Sequence, residues 1–148
     1  MKELSVEIKI IGLIHSPFKT RNDAPRQGNK KISKIEIFDD YAEGLNDIDG
    51  FSHLNVFYWL HESKGFTLMV NTPWDSVPHG LFTTRSPHRP NPIGFAVASL
   101  VKREDNVLFV EGLDAIDNTP VIDIKPYIKD IDMKKDSKDG WISKKEFK

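Results

Sequence analysis

The residues best suited to chemistry lie in one short stretch, Gly80–Gly94, which reads Gly-Leu-Phe-Thr-Thr-Arg-Ser-Pro-His-Arg-Pro-Asn-Pro-Ile-Gly. Each of its prolines fixes φ near about −65°, removes a backbone donor and biases the preceding residue away from helix. We therefore predict a stiff, ordered loop over Ser86–Pro92 that is neither helix nor regular strand. Arg85 and Arg89 would present guanidinium groups suited to bidentate binding of a carboxylate or phosphate. The alternative is a proline-rich connection whose arginines face water.

Three further polar segments follow predicted strands and could join this loop around a ligand. A pocket built from such segments would suit a ligand with both a carboxylate and a polar ring. The segments, with the arginine loop, are residues 25–28, 61–62, 85–91 and 111–118.

Several other chemistries find little support in the sequence. There is no P-loop and no Gly-x-Gly-x-x-Gly after a strand, so a Rossmann fold is disfavoured. Histidines 53, 61, 79 and 88 do not fall at metal-ligand spacing, and we predict no metal site. Single histidines at strand edges are more often structural than catalytic. Ser86 lacks a nucleophile elbow, which leaves a serine hydrolase as a weak alternative.

Composition narrows the class of protein. The chain has 148 residues, 39% of them apolar, and a net charge of −1, which predicts one globular domain without an overall electrostatic attraction for nucleic acid or membrane. It has no cysteine, which excludes a disulfide framework, a thiolate nucleophile and a cysteine zinc site. We expect a cytoplasmic protein, because we recognise no N-terminal signal sequence and no apolar run approaches the roughly 20 residues of a membrane span.

The elements that must position these loops are short strands with almost no helical periodicity, which predicts an all-β barrel or sandwich. A helical turn is expected from Asp40 to Leu45. We assign residues 1–128 to the barrel domain and 129–148 to a charged tail, expected to be peripheral, mobile or a partner arm. The predicted strands are Val6–Ile14, Lys34–Phe38, Phe51–His61, Phe66–Val70, Ile93–Lys102, Val107–Glu111 and Val121–Ile124.

Several motifs together resemble the TsaA/TrmO family, and they occur in the family's order over residues 8–127. The most specific of them is Thr-Arg-Ser-x-x-Arg-Pro-Asn-Pro-Ile-Gly. The others are Ile11–Pro17, Pro25–Gln27, Phe51–Leu54, Leu113–Asp114 and Asp117–Tyr127. One departure is Asn118, where the family often has glycine, although Asn tolerates the left-handed conformation.

The resemblance implies a small mixed β-barrel of about seven strands with short helical turns, unlike the Rossmann methyltransferases. It also implies S-adenosylmethionine as methyl donor, a homodimer with the donor near the interface, and methylation of N6-threonylcarbamoyladenosine in tRNA. The implied donor-binding residues are Arg26, Gln27, Gly28, His61, Glu62, Arg85, Val97, Glu111, Gly112, Leu113 and Asp114.

For catalysis we prefer Glu62 as the base with His61 as its partner, while a purely orienting role for both is an equal alternative. Arg89, Asn91 and Lys125 are the candidates for binding the substrate, because the threonine carboxylate calls for a cation. Two other functions stay open at this point. One is a methyltransferase of the same fold that acts on a small molecule, and the other is a noncatalytic barrel that binds RNA or a ligand.

Overall fold

The computed structural model describes residues 3–143, and the chain divides into two compact units. The first unit contains the chain through Glu62 together with Ile93–Tyr127. The second contains Ser63–Pro92 together with the chain from Ile128 onwards. The arginine loop therefore belongs to the second unit.

The first unit is a closed barrel of six strands in the order β1-β2-β7-β6-β3-β8, and every neighbouring pair is antiparallel. Its core consists of the inward-facing residues of each strand, such as Ile14, Ile35, Val56 and Val110, which are fully buried. The predicted all-β barrel is thus confirmed, but it has six strands instead of about seven, and all of them are antiparallel instead of mixed. The barrel strands are β1 (Gly12–His15), β2 (Ile32–Ile37), β3 (His53–Trp59), β6 (Ile93–Glu104), β7 (Val107–Glu111) and β8 (Thr119–Pro126).

The first strand is shorter than its apolar pattern predicted. The predicted strand Val6–Ile14 begins at Gly12, and residues 3–11 have no regular secondary structure. Regular pairing with β2 stops here, because Gly12 pairs with Ile37, the last residue of β2, while the Ile11 backbone still donates to Val121 and accepts from Phe38. An alternating sequence pattern becomes a strand only where a neighbouring strand supplies hydrogen bonds. Before Gly12 the apolar residues of the pattern, such as Leu4 and Val6, are exposed.

The predicted helical turn is present as a 3₁₀ helix over Asp39–Leu45, directly after β2. It lies at the barrel end where β2 and β8 finish and β3 begins. A cavity of about 550 Å³ opens at this end, lined by residues that include Ile37, Tyr41 and Leu54. The opposite end carries the β1–β2 and β7–β8 loops, which contain most of the predicted donor-binding residues.

The second unit has little regular structure. Strands β4 (Met69–Val70) and β5 (His79–Gly80) form a two-stranded sheet, and a 3₁₀ turn over Leu81–Thr83 follows. Thr84–Pro92 contains neither helix nor strand, as the prolines predicted. The tail contributes α1 (Lys129–Asp132) and a 3₁₀ turn over Gly140–Ile142. Among residues 3–143, no helix combines the length and apolar character that a bilayer crossing requires.

Candidate functional site

Two loops predicted to bind the donor meet at one end of the barrel. The Gly28 backbone N–H donates a 3.0 Å hydrogen bond to the carbonyl of Gly112. Both glycines have positive φ, +80° and +103°, a conformation that side chains other than Asn and Asp rarely adopt. A Cβ on Gly112 would lie 3.6 Å from the Val97 carbonyl and 3.7 Å from Gly28. The two loops therefore approach each other through bare backbone.

Asn29 fastens the same two loops a second time. Its side-chain nitrogen donates to the Arg26 carbonyl at 2.7 Å and to the Leu113 carbonyl at 2.9 Å. Its side-chain oxygen accepts the Lys31 backbone N–H at 2.9 Å. Because one amide bridges both loops, Arg26 and Leu113 are held at a fixed spacing.

A polar network around Tyr58 supports this end from inside the barrel. The Tyr58 side chain is 1% exposed, and its hydroxyl donates to Asp114 Oδ1 at 2.5 Å. The Gln27 side-chain nitrogen lies 3.4 Å from that hydroxyl and donates to the Phe95 carbonyl at 2.8 Å. A buried tyrosine hydroxyl needs hydrogen-bond partners, and here Gln27 and Asp114 supply them from two different loops. The phenol therefore holds both side chains in place.

The last glycine of the motif makes room for that phenol. Tyr58 on β3 pairs directly with Gly94 on β6. A Cβ on Gly94 would contact Cε2 of the Tyr58 ring and lie 2.7 and 2.8 Å from its Cδ2 and Cζ. Position 94 therefore requires glycine, because any side chain there would overlap the Tyr58 ring. Glycine paired with an aromatic residue across two strands is a known arrangement in β-sheets.

Two further predicted donor residues line the outer surface beside this junction. Val97 on β6 is 40% exposed, and Glu111 ends β7 opposite Ser99. His61 and Glu62 follow β3 and are exposed, and the His61 backbone N–H donates to the Trp59 carbonyl at 2.9 Å. The barrel unit alone thus supplies apolar surface, carboxylates and backbone groups at one end.

The arginine loop is organised by its own side chains. Arg89 Nη1 donates to the Thr84 carbonyl at 3.0 Å and to the Ser86 carbonyl at 3.1 Å. One nitrogen of Arg89 therefore stabilises the loop, although a guanidinium has further N–H donors for a ligand. In sequence, Arg85 lies between Thr84 and Ser86, whose carbonyls accept these bonds. Arg85 and Asn91 are both exposed.

Ser63 and His88 form a close pair in this unit, with 3.2 Å between Ser63 Oγ and His88 Nδ1. The Ser63 hydroxyl donates to the Pro87 carbonyl at 2.7 Å. Because its proton is directed at that carbonyl, the pair does not form a nucleophile with its base.

Lys125 is not brought together with the donor loops. It lies near the end of β8, opposite Asn55, while the donor loops lie beyond the start of that strand, near Thr119. At about 3.3 Å per residue, the six positions from Thr119 correspond to roughly 20 Å along the strand. Lys125 was proposed from the sequence as one possible cation for the threonine carboxylate, and the direction of β8 places it at the barrel end away from the donor loops of the same chain.

One carboxylate anchors the start of the β1–β2 loop. Asp117 accepts hydrogen bonds from Lys19 Nζ at 2.7 Å and from the Ser16 backbone N–H at 3.0 Å. The Lys19 hydrogen bond, followed by that of Ser16, lowers the pKa of the Asp117 carboxyl below its ordinary value of 3.8. Asn118 beside it has φ of +68°, in agreement with the expected left-handed conformation.

Sequence reasoning missed Tyr58 and Asn29, which hold the predicted residues in place. Tyr58 lies in an apolar run that predicted only a strand, but a tyrosine alternating inward with Leu54 and Val56 must find a hydrogen-bond partner. Asn29 follows the positive-φ Gly28 directly, and an Asn after a glycine turn is a signal for backbone bonding.

The fold and these loops define a class of small antiparallel β-barrel proteins with a cluster of polar loops at one barrel end. Residues 13–133 match the family described as the tRNA-methyltransferase O N-terminal domain. The match covers most of the chain, and the protein belongs to this family.

The chain is similar to two Archaeoglobus fulgidus proteins and one from mouse. It is 50% identical to a "Probable S-adenosyl-L-methionine-binding protein" over 93% of this chain and 38% of that protein. It is also 50% identical to an "S-adenosyl-L-methionine-binding protein" over 84% of this chain and 91% of that protein. It is 38% identical to the Mus musculus "tRNA (adenine(37)-N6)-methyltransferase" over 82% of this chain and 31% of that protein.

The crystal structure of TrmO from Pseudomonas aeruginosa superposes with a TM-score of 0.77 at 29% identity, covering 93% of this chain and 63% of that one. This likeness confirms the non-Rossmann barrel. The chain spans less than two thirds of the length of the solved TrmO, of the mouse relative and of one archaeal relative.

Proposed function

We propose that this protein is an S-adenosylmethionine-dependent methyltransferase that acts on N6 of N6-threonylcarbamoyladenosine beside the tRNA anticodon. The observation that carries the proposal is the junction of the Gly28 and Gly112 loops, fixed from inside by Tyr58. The names of the archaeal relatives support the donor, and that of the mouse relative supports tRNA adenine as acceptor.

The residues of the barrel end fit the chemical groups of this donor. Asp114 and Glu111 offer carboxylates to ribose hydroxyls and to an ammonium group, while exposed Val97 offers apolar surface to a purine face. Arg26 in the β1–β2 loop is suited to the methionine carboxylate, because guanidinium binds carboxylate bidentately, and Arg85 of the second unit is a second candidate for that group. The backbone at Gly112 has φ of +103°, which side chains rarely adopt, so glycine keeps this loop close to Gly28.

The donor would supply a methyl group from its sulfonium sulfur, so the carbon–sulfur bond breaks and a neutral thioether leaves while the acceptor nitrogen loses its proton and gains the new carbon–nitrogen bond. Glu62 is the proposed base and His61 its partner, since both follow the last residue of β3 closely and are exposed. Arg89 and Asn91 are proposed to bind the threonine carboxylate. Placement of the acceptor supplies a large part of the rate in such transfers.

Titration with S-adenosylmethionine tests the donor. Arg85→Ala should weaken binding by roughly 1.5 to 3 kcal/mol, the usual contribution of a charge-assisted contact. Arg21→Ala is the matched control, because Arg21 is an exposed arginine outside the predicted site. Absence of saturable binding by the native protein would refute the proposal.

Mass spectrometry of nucleosides tests the acceptor. Transfer RNA that carries threonylcarbamoyladenosine should gain one methyl group on that nucleoside, and tRNA without the threonylcarbamoyl group should gain none. The net charge of −1 favours a second candidate, a methyltransferase of a small molecule, because proteins that bind tRNA are usually basic. Donor binding without any methylated nucleoside would select that candidate.

Single-turnover rates test the base. Glu62→Gln should lower the rate at saturating donor by about 100-fold or more, within the range for general bases, and should lower donor affinity far less than that. Glu43→Gln, on the exposed 3₁₀ helix at the other barrel end, is the control. An equal loss of donor affinity in Glu62→Gln would assign Glu62 an orienting role instead.

The second unit supports the proposed homodimer, because many of its large apolar side chains are exposed. A protein rarely leaves so many such side chains to water without a partner surface. A second copy would cover them symmetrically. They are Phe66, Leu68, Met69, Trp74, Val77 and Phe82.

Sedimentation equilibrium tests the dimer. The native chain should sediment as a dimer at micromolar concentration, and Phe82→Asp together with Leu68→Asp should shift it to monomer. Leu4→Asp, a change at a leucine that is even more exposed and lies outside every strand, should not. A native monomer with full donor affinity would show that the pocket does not need two chains.

A further inference from the structure

The tail of the second unit is held by one aromatic residue, Trp141. Its ring stacks on the His79 ring with 3.7 Å between centroids and an interplanar angle of 7°. The His79 ring is itself fixed from another side, because its Nε2 lies 2.9 Å from Asp75 Oδ2. The tail, expected from the sequence to be a peripheral or mobile arm, is therefore anchored at this residue.

The indole N–H of Trp141 is directed at Thr83. It donates to the Thr83 carbonyl at 3.2 Å and to its Oγ1 at 3.1 Å. The Thr83 hydroxyl in turn donates to the Gly80 carbonyl at 2.7 Å. Among residues 3–143, the hydrogen bonds found for the Trp141 indole all go to Thr83, which ends the turn that leads into the arginine loop.

The residues that follow Thr83 in the chain form their own hydrogen bonds, which extend into that loop. Thr84 Oγ1 donates to the Leu81 carbonyl at 2.9 Å and accepts the Ser86 backbone N–H at 3.3 Å. The Thr84 and Ser86 carbonyls accept Arg89 Nη1, as described above. Arg85 lies between Thr84 and Ser86, so its backbone is fixed on both sides by residues that form these hydrogen bonds.

This loop depends on such contacts because it has no strand or helix of its own. Three prolines within Ser86–Pro92 limit its conformations but also remove backbone donors. Side-chain hydrogen bonds at its start therefore determine where the arginines point. Trp141 supplies two of these from a part of the chain far away in sequence.

We propose that Trp141 is a positioning residue, which acts through Thr83 to fix the start of the arginine loop and thereby the orientation of Arg85 toward its ligand. The inference rests on the proposed function for the identity of that ligand, S-adenosylmethionine. Trp141 itself contacts Thr83, His79 and Trp74 and is assigned no contact with donor or acceptor.

Titration of the full chain with S-adenosylmethionine tests the inference. Trp141→Ala, which removes the stack and the N–H, should weaken binding about tenfold, and Trp141→Phe, which keeps a ring but loses the N–H, about threefold. Ile131→Ala is the control, because Ile131 belongs to the same tail and is 61% exposed. Unchanged affinity in Trp141→Ala would overturn the inference.

A double-mutant cycle separates positioning from general support of the fold. In the Arg85→Ala background, Trp141→Ala should change donor affinity by less than about twofold, because no Arg85 side chain is left to orient. The same tenfold loss in both backgrounds would overturn the inference. If Trp141→Ala does not fold, Trp141→Phe carries the same cycle. A native chain that does not bind the donor would refute the proposed function instead.

Discussion

Replacement of Gly94 by alanine should disrupt the barrel end from inside. The added Cβ would contact Cε2 of the Tyr58 ring and lie 2.7 Å from its Cδ2, closer than carbon atoms approach in folded proteins. The ring is 1% exposed and packed on all sides, so it can relieve the overlap only by moving with its strand. Movement of the ring separates its hydroxyl from Asp114 and Gln27.

The expected magnitude follows from overpacking, which costs roughly 1 to 3 kcal/mol when an extra methyl group enters a filled core. For a chain of 148 residues this lowers the melting temperature by about 3 to 10 °C. Donor affinity should fall as well, because the residues that the phenol holds belong to the proposed donor site.

Thermal unfolding and donor titration of the same samples check both effects. Gly80→Ala is the matched control, since a Cβ there meets nothing within 4 Å and its φ of −59° suits any residue. Combining Gly94→Ala with Tyr58→Leu should recover part of the lost stability, because the ring that causes the overlap is absent. If Gly94→Ala melts and binds like the native protein, the proposed packing role of Gly94 is wrong.

Three further variants test other parts of the first unit. Asp117→Asn should lower the free energy of unfolding by roughly 1 kcal/mol at neutral pH in urea titrations. Because the folded pKa of Asp117 is lowered, its stabilisation is present above about 3.8 and is lost as the pH falls through the folded value, so native and variant should converge in strong acid. Gly12→Ala should destabilise by about 3 kcal/mol or more, because its Cβ would meet the Glu36 backbone carbonyl, and an unchanged chemical-denaturation midpoint would contradict this. Ser33→Ala should leave stability equal or up to about 1 kcal/mol higher in the same assay, since this buried hydroxyl has no hydrogen-bond partner among residues 3–143, and a loss above that amount would reveal one.

The barrel could be predicted from the sequence because its strands alternate buried and exposed residues. The strand Val107–Glu111 has the predicted bounds. The strand predicted over Ile93–Lys102 is two residues longer in the structure and ends at Glu104. The loop over Ser86–Pro92 was equally predictable, since proline acts locally on its own backbone and that of its predecessor. These predictions need no knowledge of distant parts of the chain.

What could not be predicted depends on contacts between residues far apart in sequence. The Tyr58 hydroxyl bonds to Asp114 across 56 positions, and Trp141 bonds to Thr83 across 58. The start of the chain is a similar case, because the apolar alternation before Gly12 is ordinary for a strand, and the point where regular pairing begins depends on the distant residues of β2 and β8. Lys125 is a further case, because only its charge suggested a substrate contact, and the pairing of β8 with β3 is needed to see that it lies at the barrel end away from the donor loops.

The two units hold their candidate residues by different means, and this difference should appear in the variants. In the barrel unit, Gln27 and Asp114 depend on a buried phenol that is also part of the core, so a change there affects stability and donor affinity together. In the second unit, the arginine loop depends on a few side-chain hydrogen bonds with little regular structure beneath them, the kind of segment that opens at low free-energy cost. A change at Trp141 should therefore reduce donor affinity more than global stability. The ratio of lost donor affinity to lost stability should therefore be larger in Trp141→Ala than in Gly94→Ala. Equal ratios would show that the arginine loop and the barrel core are not independent in this respect.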